Sequence, residues 1–251
     1  MKTTGNTILI TGGATGIGFA LAEAFLKEDN EVIICGRREQ KLREAKRKLS
    51  QVHIKRIDVS NETGRQKLLR WAKSDFSGLN ILVNNAGIQR QHDFTSPRAI
   101  RPPSVKDDEI TVNLVAPIRL CALFTPMLSR KKNAAIVNIS SGLAFVPIAT
   151  MPIYCATKAA LHSFTISLRH QLRSANVQVF EAAPPATDTE LDHTFAGEQE
   201  HAYRGISAQE VASAILHGMR MDNEQIIIGQ AQGLYDASRQ NPSAIFKRLN
   251  D

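Results

Sequence analysis

The chain has 251 residues, of which 43% are hydrophobic and 6% aromatic, and its formal net charge is +7. This composition suits one α/β domain with a sizeable aliphatic core and excludes a largely disordered or low-complexity protein. No apolar run approaches the roughly 20 residues of a membrane-spanning helix, and the first ten residues lack a signal-peptide pattern. We therefore expect a single domain over residues 1–251 that is cytoplasmic and has no membrane span.

Short runs rich in β-branched residues alternate with longer segments of helical periodicity along the whole chain. The predicted strands are residues 7–11, 31–35, 53–57, 80–83, 135–139, 177–182 and 225–228. The predicted helices are residues 17–27, 39–49, 62–75, 107–128, 153–173 and 208–219. This order predicts a Rossmann-type, doubly wound α/β fold, with a seven-stranded, mostly parallel sheet and helices on both faces.

A glycine cluster, TGGATGIG at residues 11–18, follows the first predicted strand and opens the first helix. Glycines in this context permit a tight turn and close backbone approach, while free N–H groups at the helix start can hold a pyrophosphate. The alternative is a turn that only connects strand to helix, which the βαβ frame disfavours. We predict dinucleotide contacts at Gly12, Gly16, Ile17 and Gly18.

The end of the second predicted strand decides between the two nicotinamide cofactors, because a carboxylate there would repel a 2′-phosphate. This chain has Gly36-Arg37-Arg38 instead. A charge-assisted contact of roughly 1.5–3 kcal/mol favours the phosphorylated ribose by about one to two orders of magnitude. We predict that NADP(H) is preferred and NAD(H) possible, with Arg37 as the principal phosphate partner. The alternative, a solvated residue starting the next helix, applies more to Arg38.

The positive charge is concentrated at residues 37–48 and 130–132. In the first stretch, however, Glu39 and Glu44 interrupt the cations, and apolar residues recur at helical spacing. This pattern is typical of a solvated amphipathic helix, so no nucleic-acid partner is predicted. The histidines and the three cysteines have no metal-ligand spacing, and no metal site is predicted either.

Tyr154 and Lys158 lie one turn apart on the same face of a predicted helix. An ammonium beside a phenol favours the ionised phenol, whose ordinary pKa is about 10. Lowering that pKa by ~3 units needs roughly 4 kcal/mol, much of which one cation can supply in a water-poor site. Alone the pair is weak evidence, because many such pairs are solvated surface.

Further motifs complete a resemblance to the single-domain short-chain dehydrogenase/reductase family, from residue 7 to residue 228. The glycine cluster fits the TGxxxGxG motif, and NNAG at residues 84–87 follows the fourth strand as it does in the family. The dipeptide at residues 58–59 fits the adenine-contacting pair of the family. The resemblance implies further cofactor contacts at Asp58, Val59, Asn85, Ala86 and Gly87.

The same resemblance places Asn113, Ser141, Tyr154 and Lys158 in the catalytic tetrad of the family, in the right order. It implies that Tyr154 exchanges a proton with a carbonyl or alcohol oxygen while hydride moves to or from nicotinamide. Lys158 would lower the pKa of the tyrosine and hold the nicotinamide ribose, Ser141 would bind the substrate oxygen, and Asn113 would anchor a water. The alternative is a non-catalytic NADP(H)-binding regulatory protein, which an intact tetrad disfavours.

One departure from the family follows the sixth strand, where Pro184-Pro185 replaces the usual Pro-Gly. A second proline fixes φ and removes an N–H, so the turn beside the nicotinamide must be built differently. The resemblance still implies cofactor contacts at Pro184, Thr187 and Thr189.

The resemblance also bears on the substrate and the assembly. Residues 190–205 correspond to the substrate loop, whose polar composition favours a small, polar substrate, and residues 229–251 form a C-terminal extension. Relatives form dimers or tetramers through the helices at 107–128 and 153–173, so a homodimer or homotetramer is expected. Stretches such as residues 141–145 resemble the DltE-like branch of the family and suggest a bacterial source.

Overall fold

A computed structural model of the chain describes residues 1–95, 108–191 and 205–251. The main sheet consists of β1 (Thr7–Thr11), β2 (Glu31–Gly36), β3 (His53–Arg56), β4 (Leu79–Asn84), β5 (Ala134–Ile139), β6 (Val177–Ala183) and β9 (Gln225–Ile227). A separate small sheet pairs β7 (Thr187–Asp188) with β8 (Ile206–Ser207). The helices are α1 (Gly16–Leu26), α2 (Glu39–Lys48), α3 (Glu62–Asp75), α4 (Ala116–Leu128), α5 (Pro152–Leu172), α6 (Ala208–Arg220), α7 (Gln230–Gln240) and α8 (Pro242–Asn250).

The strand order of the main sheet is β3-β2-β1-β4-β5-β6-β9, and every neighbouring pair is parallel. The chain runs outward from β1 to β3, then returns to the other side of β1 with β4. This reversal creates a crevice at the carboxyl ends of β1 and β4, where ligands bind in open α/β sheets. The predicted Rossmann-type fold, with its seven-stranded parallel sheet, is confirmed.

Alternate side chains of each strand point to opposite faces of the sheet, and helices cover both faces. Ile8 and Ile10 of β1 belong to a core cluster with Phe25 of α1 and with α6. Leu9 belongs to the other cluster, which contains Phe124 of α4 together with side chains of α3 and α5. The strands are thereby fixed in register, and the residues at their carboxyl ends are held by a rigid support.

The structure adds elements that the periodicity does not predict. Where one continuous helix is predicted up to residue 128, the described part contains a π-helical turn, Thr111–Val115, directly before α4. Its cause is local: Pro117 has no N–H to donate to the carbonyl of Asn113, and the N–H of Ala116 donates to the carbonyl of Thr111 instead. The C-terminal extension consists of α7 and α8.

Two surface expectations can be compared with the structure. In α2, Leu42 and Ala45 are buried while Arg43 pairs with Glu39 on the exposed side, so the predicted amphipathic helix is confirmed.

Among the described residues, one 18-residue stretch, Thr111–Leu128, is long and apolar enough to cross a membrane, with a mean hydropathy of 1.5. Phe124 and Leu128 are fully buried in this stretch. We therefore assign it as a core helix of the domain.

Candidate functional site

The glycine loop between β1 and α1 presents backbone to the crevice. Gly12 and Gly16 have φ of +66° and +54°, in the left-handed region that favours glycine. The amide of Gly12 donates to the carbonyl of Cys35 at 2.8 Å, which ties the loop to β2. The side chain of Thr15, the N-cap residue of α1, makes no capping hydrogen bond. The first amides of α1 are thus suited to bind an anion such as a pyrophosphate.

The segment after β4 is bonded directly to this loop. The side-chain amide of Asn85 donates to the carbonyls of Thr11 and Gly12 at 3.0 and 3.2 Å. The hydroxyl of Thr11 accepts from the backbone amides of Asn85 and Ala86 at 3.0 and 3.1 Å. A Cβ at Gly18 would lie 2.4 Å from the Asn85 amide nitrogen, so only glycine fits there. The Asn85 side chain therefore shapes the glycine loop.

Tyr154 and Lys158 lie on one face of α5 and are both buried, with 6% and 5% of their surface exposed. The Lys158 ammonium lies 5.6 Å from the centroid of the Tyr154 ring and donates to the carbonyl of Ile139, at the end of β5, at 2.8 Å. Burial lowers the pKa of Lys158 from 10.5 to about 8. The expected cation therefore lies beside the phenol ring in a site largely closed to water.

Asn113 belongs to the π-helical turn and is bonded to the segment after β4. Its amide donates to the carbonyl of Ile88 at 2.8 Å, and its oxygen accepts from the amide of Ile88 at 2.9 Å. A Cβ at Gly87 would lie 3.5 Å from the Asn113 oxygen and 3.7 Å from the Lys158 nitrogen. Asn113 and Lys158 thus converge on Gly87, and Asn113 fixes the backbone between them.

Ser141 begins the loop after β5. Its hydroxyl oxygen accepts from the amide of Leu143 at 3.1 Å, and the amide of Gly142 donates to the carbonyl of Pro184 at 2.8 Å. The preceding Ser140 donates to the fully buried carboxylate of Glu181 at 2.6 Å. Ser141 is therefore held between the end of β5 and the turn after β6.

The Pro184-Pro185 turn is bonded on both sides. The hydroxyl of Thr187 donates back to the carbonyl of Pro185 at 2.9 Å, and the amide of Ile206 donates to the carbonyl of Ala186 at 3.2 Å. Thr189 continues toward the glycine loop: a Cβ at Gly16 would lie 3.1 Å from its methyl carbon. Residues 192–204, which make up most of the predicted substrate loop, lie outside the described residues, as do residues 96–107.

At the end of β2, Arg37 and Arg38 are both exposed, and the contacts of Arg38 connect the glycine loop with the segment after β7. The Arg38 guanidinium donates to the hydroxyl of Thr15 in the glycine loop at 3.2 Å and to the carboxylate of Glu190 at 2.8 Å. Asp58 and Val59 follow β3: the Asp58 carboxylate accepts from the amide of Ser60 at 2.9 Å. The predicted adenosine-side residues thus occupy the ends of adjacent strands.

The comparisons with known proteins agree with this geometry. The family model described as short chain dehydrogenase matches residues 6–200. The chain belongs to the short-chain dehydrogenase family. It is 48% identical over 250 residues to the Bacillus subtilis (strain 168) protein named uncharacterized oxidoreductase DltE, a match that covers 100% of this chain and 98% of the relative. This identity supports the predicted DltE-like branch.

Two solved short-chain dehydrogenases have the same fold. One, from Burkholderia cenocepacia J2315 in complex with NADP, has a TM-score of 0.83 and 25% identity, and the match covers 99% of both chains. The other, from Burkholderia phymatum in complex with NAD, has a TM-score of 0.83 and 23% identity, covering 100% of this chain and 97% of that one. Structural relatives therefore bind either nicotinamide cofactor.

In this short-chain dehydrogenase, several residues near the site were not predicted from the sequence. The sequence shows Thr11 only as the start of the glycine motif, although its place beside two backbone amides follows from the pairing of β1 with β4. The Glu109 carboxylate is only 2% exposed and is hydrogen-bonded to the His92 ring at 2.6 Å. No local sequence pattern predicts this pair. Among the described residues no group of three potential ligands is arranged for a metal ion.

Proposed function

We propose that the protein is an NADP(H)-dependent oxidoreductase that interconverts a carbonyl and an alcohol on a small, polar substrate, as enzymes of the EC 1.1.1 type do. The observation that carries the proposal is the buried Lys158 ammonium, 5.6 Å from the Tyr154 ring centroid and bonded to the end of β5. A buried lysine without a carboxylate as its principal partner is costly, and it is best explained by the chemistry beside it.

In the proposed mechanism, Tyr154 is the general acid for reduction and the general base for oxidation. The Lys158 charge favours the phenolate and so eases the loss of the proton from Tyr154. Ser141 binds the substrate oxygen and stabilises the negative charge that develops on it. Asn113 holds the backbone at Ile88 and anchors a water that returns protons to Lys158. A bound nicotinamide supplies or accepts the hydride.

The residues of the crevice fit a dinucleotide. The glycine loop and the uncapped start of α1 would hold the pyrophosphate, and Lys158 the nicotinamide ribose. For the remaining contacts we propose Ile17, Gly18, Asp58, Val59, Asn85, Ala86, Gly87, Pro184, Thr187 and Thr189. The residues that end β2, Gly36-Arg37-Arg38, include no carboxylate, and the two arginines supply positive charge there, which favours the 2′-phosphate of NADP(H).

The proposal of a polar substrate is supported by the segment after Gly87. His92 and the buried Glu109 form a pair at 2.6 Å, and the amide of His92 donates to the carbonyl of Thr150, four residues before Tyr154. Polar side chains therefore lie close to the segment that leads to Tyr154.

We also propose a homodimer or homotetramer through the 107–128 and 153–173 regions, where Ile110 and Ile166 are about half exposed. Light scattering of the purified protein would test the assembly.

The test of the activity pairs turnover with binding. We would titrate NADPH and NADH calorimetrically into the wild type, Tyr154→Phe and Lys158→Met, then assay carbonyl reduction with a panel of small polar aldehydes and ketones. Tyr154→Phe is expected to abolish turnover while binding NADPH nearly as the wild type does. Wild-type-like turnover in Tyr154→Phe would refute the mechanism. NADPH binding without turnover on any panel compound would favour the regulatory alternative.

A further inference from the structure

The carboxylate of Glu190 bridges two cations beside the glycine loop. One of its oxygens accepts from the Arg38 guanidinium at 2.8 Å, and the other accepts from the Lys41 ammonium at 2.6 Å. Arg38 also contacts the hydroxyl of Thr15 at 3.2 Å. The hydrogen bond from Lys41 holds the pKa of Glu190 below its usual value, so the carboxylate is ionised at neutral pH. An anion of this chain thus occupies a cation pair beside the dinucleotide loop.

Arg38 and Lys41 lie where the 2′-phosphate of NADP(H) is expected to bind. In a doubly wound fold the pyrophosphate binds at the start of α1 and the adenosine ribose at the end of β2. Arg38 joins these two places, because it precedes α2 and reaches back to Thr15. Lys41 lies one turn further along α2, on the same side as Arg38, since both contact Glu190.

We propose that Glu190 occupies the place of the 2′-phosphate of NADP(H), so that Lys41 is a further phosphate-binding cation beside Arg37 and Arg38. In this proposal Glu190 limits how much more tightly NADPH binds than NADH. The inference rests on the proposed cofactor preference and adds two residues to it. A 2′-phosphate binds Arg38 and Lys41 in exchange for Glu190, and its larger negative charge drives that exchange. NADH has no group that competes for the pair.

The exchange predicts opposite effects for the two residues. Removing the Glu190 charge leaves both cations available, so NADPH binds without first breaking two ion pairs. Removing the Lys41 charge takes away one contact of the phosphate. All three side chains are about one-third to three-fifths exposed, so each ion pair contributes modestly. We expect changes of about three- to fivefold in the Kd of NADPH, which correspond to ion pairs of this exposure.

The experiment measures NADPH and NADH binding by calorimetry for the wild type, Glu190→Gln, Lys41→Gln and a control, Glu39→Gln. Glu39 carries the same charge at the start of α2 but pairs with Arg43 and Arg56. We expect Glu190→Gln to tighten NADPH binding and Lys41→Gln to weaken it, with NADH unchanged within about twofold and Glu39→Gln like the wild type.

Two outcomes would overturn the inference in distinguishable ways. If the wild type prefers NADPH but Glu190→Gln and Lys41→Gln leave that preference unchanged, the cofactor proposal stands and the role of Glu190 and Lys41 is wrong. If the wild type binds NADH as tightly as NADPH, the cofactor preference fails, and this inference fails with it. An equal shift for both cofactors would also refute it, because the argument requires discrimination by the phosphate.

Discussion

Replacement of Lys158 by methionine measures how much the buried charge of this lysine lowers the free energy of unfolding. The pKa of Lys158 falls from 10.5 to about 8 because the side chain is buried. A pKa lowered this far means that the buried charge destabilises the folded state by about 3 kcal/mol at pH 7. Lys158→Met removes this cost but leaves the carbonyl of Ile139 without its donor, which costs roughly 1–3 kcal/mol.

The sign of the pH dependence follows from the direction of the shift. Below pH 8 the lysine is protonated in both states, and the folded state bears the full cost of the buried charge. Between pH 8 and 10.5 the unfolded state binds more protons, so the stability of the wild type rises with pH. We expect the stability of the wild type relative to Lys158→Met to rise by about 2–3 kcal/mol from pH 7 to pH 10.

Urea unfolding of both proteins, at one protein concentration and at pH 7, 8, 9 and 10, would measure this change. The control is Lys67→Met, which removes an exposed lysine of α3 and is measured at the same four pH values. A difference between the wild type and Lys158→Met that stays constant across the series would refute the reasoning. It would mean that Lys158 keeps an ordinary proton affinity in the folded protein.

Three further changes test the residues that hold the glycine loop and the loop of Ser141 in place. Thr11→Val removes the hydroxyl that accepts from the amide of Asn85, and we expect about 2 kcal/mol lower stability in urea unfolding and weaker NADPH binding, both largely restored in Thr11→Ser. Gly18→Ala places a Cβ 2.4 Å from the Asn85 side chain, so a lower Tm and weaker cofactor binding are expected. Deletion of residues 242–251 removes the contact of Asn250 with Pro147 and should lower kcat more than it raises the KM for NADPH, whereas unchanged kcat would contradict this role.

Much of the site could be predicted from the sequence because its parts are local patterns at strand ends. The glycine cluster directly follows β1, and Tyr154 and Lys158 lie one helical turn apart on α5. Parallel strands bring their carboxyl ends to one edge of the sheet, so features that are distant in sequence meet there. The order of the motifs along the chain is therefore the main basis for predicting where Asn113 and Ser141 lie.

The residues that sequence reasoning missed are held by long-range pairs with no periodic signal. Glu190 contacts Arg38 and Lys41 across about 150 positions of the chain. Glu181 of β6 is fully buried and bonded to Ser140 and to His162, which lies one turn beyond Lys158 on α5. A buried carboxylate in an apolar strand is indistinguishable from an exposed one until the neighbouring helix is placed.

The C-terminal extension begins beside the turn that carries the second proline. Pro185 lies beside Gly229, where a Cβ would be 3.8 Å from the proline ring, and Gly229, with φ of +54°, turns the chain from β9 into α7. From there α7 packs on the serine loop: a Cβ at Gly142 would lie 2.9 Å from the methyl of Ala231.

The same contact continues along α7. The rings of Phe145 and Tyr235 meet edge to face, with their centroids 5.0 Å apart, and Phe145 also contacts His162 in the same way at 5.2 Å. The loop that carries Ser141 is therefore enclosed between the His162–Glu181 pair of α5 and β6 on one side and α7 on the other. Residues that follow the last strand thus form one wall of the loop on which the proposed proton chemistry depends.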